Sequence, residues 1–193
     1  MTILKMYITL APCILAGILN MLWCRTSLCR SLAKPIDSGK CLSDGKRIFG
    51  GNKTWAGFFG MIFCSAVCQT LWGFACRLPA LADKNYIYIH NSNTVSLNAA
   101  LGGLMGLAYV LFELPNSFVK RRLEIPSGKT VSGLKGKIFF IIDQVDSLFG
   151  VMLVYAAFYP MTARQYFLYI ALGAVTHIAV NAALYALKIR KNL

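Results

Sequence analysis

Negative charge is what this 193-residue chain has least of: seven Asp and Glu stand against twenty Lys and Arg, for a formal net charge of +13. Charge of either sign is sparse, at 14% of residues where soluble domains carry about 25%. With 57% hydrophobic residues, that scarcity excludes an intrinsically disordered chain. Paired cysteines are missing too. The seven cysteines form no C-x-x-C spacing and are odd in number, which argues against a disulfide framework or a zinc site. The two histidines are isolated, and His90 and His177 read as a polar loop residue and a helix-packing residue. Internal repeats and low-complexity segments are absent. The basic excess alone leaves three partners open: nucleic acid, an anionic membrane surface, or a phosphate-rich substrate.

What the chain has instead is long uncharged runs, at 6–24, 54–76, 85–112, 147–163 and 165–187. Each supplies most of the roughly 20 apolar residues a helix needs to cross about 30 Å of hydrocarbon. The expected fold is all-α: a polytopic membrane protein forming one domain over 1–193, with spans near 4–24, 55–76, 96–118, 138–159 and 166–187. Sixteen of the twenty basic residues fall in the loops 25–54 and 119–137 and in the tail, leaving Lys5, Arg77, Lys84 and Arg164 for the opposite face. The positive-inside rule then puts those loops and the carboxyl terminus in the cytoplasm, and the amino terminus outside the cytoplasmic membrane. Topology by itself accounts for such an excess, which weakens the nucleic-acid reading. Leu10-Ala11-Pro12-Cys13 vaguely resembles a lipoprotein cleavage site, but apolar sequence continues well past it, so the first run reads as a span.

The few acids are therefore informative. Asp37, Asp44 and Glu124 lie in the basic loops and Asp83 on the other side, but Glu113, Asp143 and Asp146 fall inside expected spans. A carboxylate there costs about 2.5–3.5 kcal/mol on insertion scales and normally faces a partner or a water-filled cavity. Glu113 precedes Lys120 by seven residues, and Asp143 and Asp146 follow Lys137 by six and nine. At helical rise these separations are about 9–14 Å, so the three carboxylates sit at similar depth on consecutive antiparallel helices. Asp143 and Asp146, three apart, share a face, and Pro115 permits a kink just after Glu113. Three such carboxylates need neutralising. A hard divalent ion such as Mg²⁺, bound by one or two carboxylates and substrate phosphates, would do this. So would lysines or arginines reaching inward from Lys120, Arg121 or Lys137, and a proton or ion pathway is a third use.

The loop from Asp37 to Gly57 adds glycines, cations and the carboxylates Asp37 and Asp44 immediately before a helix. Glycines let backbone approach a ligand, and amides, a helix amino terminus and lysines favour anions. The spacing is not that of a P-loop, and a solvated basic loop against anionic headgroups has the same composition.

Taken together, these segments resemble a known family. Lys53-Thr54-Trp55-Ala56-Gly57 is similar to the K-T-W-x-G segment of CDP-diglyceride synthetases. Glu113, Ser117, Lys120 and Arg121 fall on that family's D-x-x-x-S-x-x-K-R pattern, and Asp143-Gln144-Val145-Asp146-Ser147 on its L-D-R-x-D-S segment. Asp44–Gly57 and the D-Q-x-D run resemble more closely the shorter CDP-archaeol synthase branch. The resemblance covers roughly 35–150, with Glu113 where the family has Asp and Gln144 where it has Arg. It implies a membrane nucleotidyltransferase that joins CTP to a phosphorylated lipid, ether or ester, with Mg²⁺, releasing pyrophosphate. It further implies Asp143, Asp146 and Glu113 as catalytic and metal-binding residues, with Lys53 catalytic. Lys53, Thr54, Lys120, Arg121, Arg47, Asp44 and Ser117 are implied as substrate-binding. The partners implied are CTP, the lipid and the bilayer; no nucleic acid is called for, and a homodimer is compatible with the sequence.

Other classes fit less well. CDP-alcohol phosphatidyltransferases also begin a motif with D-G, but need A-R next and two trailing aspartates. Here Lys46-Arg47 follow, and no Asp recurs before Asp83. A small transporter would explain intramembrane carboxylates but not the glycine-rich cationic loop, and it would be expected to show inverted repeats. A non-catalytic membrane adaptor requires neither cluster.

Overall fold

The computed structural model describes residues 2–129 and 131–186. The tail residues Lys188, Arg190 and Lys191, and position 187 of the fifth expected span, lie outside the described residues. The chain is helical: α1 (Ile3–Trp23), α2 (Ser27–Ser31), α3 (Trp55–Ala75), α4 (Tyr86–His90), α5 (Val95–Arg122), α6 (Gly133–Phe158) and α7 (Ala163–Ala186). Among the described residues, five of these (α1, α3, α5, α6 and α7) are long and apolar enough to cross a membrane.

Threonines set the starts of three long helices. Thr2, Thr54 and Thr94 stand in extended conformation, and each side chain accepts the backbone N–H three residues on, from Lys5, Gly57 and Leu97. Two helices depart from expectation. α5 runs on to Arg122 and α6 begins at Gly133, where the sequence suggested 118 and 138. The charges there end an apolar run but not a helix: at 28 residues α5 is about 42 Å long, more than about 30 Å of hydrocarbon requires. Lys120, Arg121 and Arg122 in that turn also complement the negative end of the helix dipole.

The bundle packs through small residues where helices must come close. On α5, Gly102 and Gly106 form a G-x-x-x-G pair. A Cβ at Gly102 would lie 2.5 Å from the Ser65 carbonyl, and one at Gly106 would lie 2.6 Å from Ile62 Cα, so α3 and α5 touch backbone to backbone. Gly150 of α6 abuts the Ala108 carbonyl in the same way, at 2.7 Å. Around these seams Leu10, Leu101, Met105, Val151, Tyr155 and Tyr169 are fully buried. The Tyr155 hydroxyl, deep in the bundle, donates to the Thr9 carbonyl at 2.9 Å. Both long basic loops lie at one end of the bundle. α4 lies at the other, where the Tyr86 N–H donates to Thr9 Oγ1 at 3.0 Å.

Candidate active site

The glycine-rich loop is organised around one buried carboxylate. Asp37, 5% exposed, accepts the N–H groups of Gly39, Phe49 and Gly50 at 3.0, 3.1 and 2.9 Å and pairs with the Arg47 guanidinium. Burial opposes its charge, but Arg47 and the three amides outweigh it and hold the carboxyl well below the usual carboxylate range. The chain then doubles back. The Ile36 N–H donates to the Lys53 carbonyl at 2.8 Å and the Trp55 N–H to that of Lys34 at 2.9 Å. Lys53 is thereby fixed at the start of α3, with its ammonium paired to Glu113. Burial alone would lower the Lys53 pKa; the Glu113 carboxylate, helped by Asp146 and Asp143, leaves it raised.

The other half of the site comes from α5 and α6. Glu113, Asn116 and Lys120 recur at three and seven residues along α5 and so share a face. The Lys120 ammonium pairs with Asp143 and lies 5.7 Å from the centre of the Phe139 ring. Asn116 Nδ2 donates to both Asp143 Oδ1 and Asp146 Oδ2, at 2.6 Å each. The remaining Asp146 oxygen accepts the Ser147 N–H at 2.7 Å. Inward-reaching lysine thus compensates Asp143, as one reading of the sequence had it. Arg121 turns instead to Ser127 Oγ, at 2.8 Å.

Two cavities meet here. One, of about 350 Å³, is walled by Asn116, Ser117, Lys120, Arg121, Asp143 and Asp146. The other, of about 590 Å³, is mostly apolar, lies between α1, α3 and α7, and reaches Thr54. Lys53 and Glu113 line both. Of the residues singled out from sequence, Asp44 and Arg47 are not brought to either wall. Asp44 pairs with Arg122, which also donates to the carbonyls of Lys46 and Arg47, so these contacts clamp the loop to the end of α5. Thr54 spends its hydroxyl oxygen on capping α3.

The family model for CarS-like CDP-archaeol synthase matches residues 2–192. The chain belongs to the CDP-archaeol synthase family. It is therefore a nucleotidyltransferase, specifically a cytidylyltransferase, built into a membrane by several spans. The CDP-archaeol synthase of Pyrobaculum calidifontis is 32% identical over 157 residues, covering 81% of this chain and 79% of the relative. That of Archaeoglobus fulgidus is 30% identical over 162 residues, covering 81% and 82%. A solved structure of an intramembrane enzyme for archaeal membrane lipids biosynthesis superposes with a TM-score of 0.66, covering 94% of this chain and 95% of that one. At 24% identity this likeness speaks to the fold.

Within this candidate site, sequence reasoning passed over Asn116, whose place three residues after Glu113 and four before Lys120 was the available signal. His177, expected only to pack helices, lines both cavities. As a cation site the donor set is chemically apt: two carboxylates within reach of one nitrogen present hard oxygen ligands. Among the described residues no three acidic, histidine or cysteine side chains converge as a cage. A divalent ion held by Asp143 and Asp146 would therefore draw its other oxygens from water or substrate phosphates.

Proposed function

We propose that this chain converts an archaetidic-acid-like ether lipid and CTP into a CDP-lipid and pyrophosphate. The observation that carries the reading is the meeting of a long apolar cavity with a cationic, carboxylate-bearing one across Lys53 and Glu113. A lipid whose chains occupy the first brings its phosphate to the second, where CTP lies. The names of the curated relatives favour the ether lipid over phosphatidic acid.

A phosphate oxygen of the lipid attacks the α-phosphorus of CTP in line. The bond from that phosphorus to the oxygen bridging to the β-phosphate breaks, and pyrophosphate leaves with the electron pair. The protein's task is positioning and charge compensation. Lys53, Lys120 and Arg121 hold phosphate oxygens, assisted by the hydroxyls of Ser117 and Thr54. Glu113 orients Lys53 and Asp143 orients Lys120, and Asp143 and Asp146, with Glu113 beside them, would hold Mg²⁺. Bound there, it would supply charge neutralisation at the transferred and leaving phosphates. Asp44 and Arg47 act through the loop they anchor. The loop end of the bundle faces the cytoplasm of the cell membrane, so CTP arrives from solution while lipid enters sideways between helices.

The test is purified protein in nanodiscs with labelled CTP, Mg²⁺ and matched ether and ester lipid phosphates. CDP-lipid forming faster from the ether acceptor is expected. No CDP-lipid from any acceptor would overturn the reading, and preference for the ester would overturn the substrate assignment.

A further inference from the structure

We infer that His177 and Asn181 of α7 are substrate-positioning residues that hold the phosphate end of the lipid where the two cavities join. The inference rests on the cytidylyltransferase reading above and adds to it a helix outside the motif-bearing region.

α7 carries no charged residue after Arg164. Gly173, Thr176, His177, Val180, Asn181 and Leu184 recur at spacings of three and four, and so form one helix face. That face is a wall of the larger, apolar cavity. Of the six, only His177 and Asn181 also wall the smaller polar cavity, alongside Lys53 and Glu113. An amphiphile lying along α7 therefore meets apolar and small side chains for most of its length, and N–H donors only where the polar cavity begins. Imidazole and carboxamide groups in an otherwise apolar span are costly to insert and suit a phosphate monoester, which needs donors.

Asn181 is also held in place. It is 7% exposed, and its Nδ2 donates to Gln144 Oε1 at 3.3 Å. Gln144 Nε2 in turn donates to the Phe140 carbonyl at 3.1 Å. Gln144, directly after Asp143 on α6, thus orients the α7 amide through one Nδ2 hydrogen, and the second can serve a ligand. The lipid is the better recipient than CTP, because every other α7 residue on this face borders only the apolar cavity.

Steady-state kinetics with CTP and lipid phosphate varied independently separate these roles. His177→Leu and Asn181→Leu should each raise KM for the lipid about 10-fold, the loss of a hydrogen bond to a charged group. KM for CTP should stay within about twofold, and His177→Gln, which keeps a donor, should recover most of the loss. Asn181→Asp, nearly isosteric, provides a folded variant if a leucine variant aggregates. Its carboxylate should repel the lipid phosphate and raise the same KM by at least about 10-fold. An unchanged lipid KM, a rise confined to CTP, or equal rises in both would overturn the inference. Wild-type protein that makes no CDP-lipid would instead overturn the reading on which it rests.

Discussion

Asn116 is the smallest group on which the site depends, because one amide nitrogen serves both Asp143 and Asp146. Asn116→Ala should leave the bundle folded but free the two carboxylates to separate. A roughly 10–100-fold fall in kcat is expected, the usual cost of losing a side chain that orients catalytic ligands. Labelled-CTP turnover beside an unchanged thermal midpoint would confirm this, and near-normal kcat would remove Asn116 from that role. Asp37 does comparable work for the loop. Asp37→Asn breaks a buried pair and weakens three amide bonds, so exchange at the Phe49 and Gly50 amides should speed up about 100-fold. Its folded-state pKa lies below the unfolded value of about 3.9, so its contribution is complete above that value and is lost as pH falls through the folded pKa. Protection of those amides, corrected for intrinsic exchange, should be flat between about pH 8 and 5, then fall below about pH 4 in wild type but not in Asp37→Asn. Spacing made Asp143 and Asp146 legible as a pair in the sequence. The partnership of Lys53 with Glu113, 60 residues apart, was not legible, because no local period links them.

At the scale of elements, α5 carries the most. One face supplies Glu113, Asn116 and Lys120, while Gly102 and Gly106, nearer its start, let α3 come into backbone contact. In a membrane this closeness matters because helices associate by packing, with little hydrophobic drive between them. Gly106→Val would push a side chain against Met61 and Ile62 backbone. It should cost about 1–3 kcal/mol, seen as a lowered thermal midpoint or aggregation in detergent; a wild-type melting profile would show the seam to be slack. The spans themselves were readable to within a few residues from hydropathy. The helix ends near 122 and 133 were not, since charge stops insertion but not helical hydrogen bonding. α2 and α4, of five residues each, are too short to show a period and are started by Thr26 and Asn85, whose side chains accept from the Cys29 and Ile87 amides.

For the molecule as a whole, the basic loops gather at one end with the site, so orientation in the membrane decides which solution supplies CTP. Cys24 and Cys41 are exposed at that end. With the loop end cytoplasmic, as proposed, a membrane-impermeant maleimide should leave them unmodified in intact cells and label them in inside-out vesicles. A variant without these two cysteines but with Asp83→Cys should do the reverse, and labelling of Cys41 in intact cells would invert the topology. By itself, the sequence determined the class of molecule. Hydrophobic run length is a local quantity that the bilayer reads directly, and the order of the three motifs carried the family. Tertiary structure alone decided which charges meet. It put Lys53 on Glu113, Lys120 on Asp143, Asp44 away from the cavities and α7's two polar residues at their junction, because helix rotation and packing distance, invisible in any single segment, set those contacts.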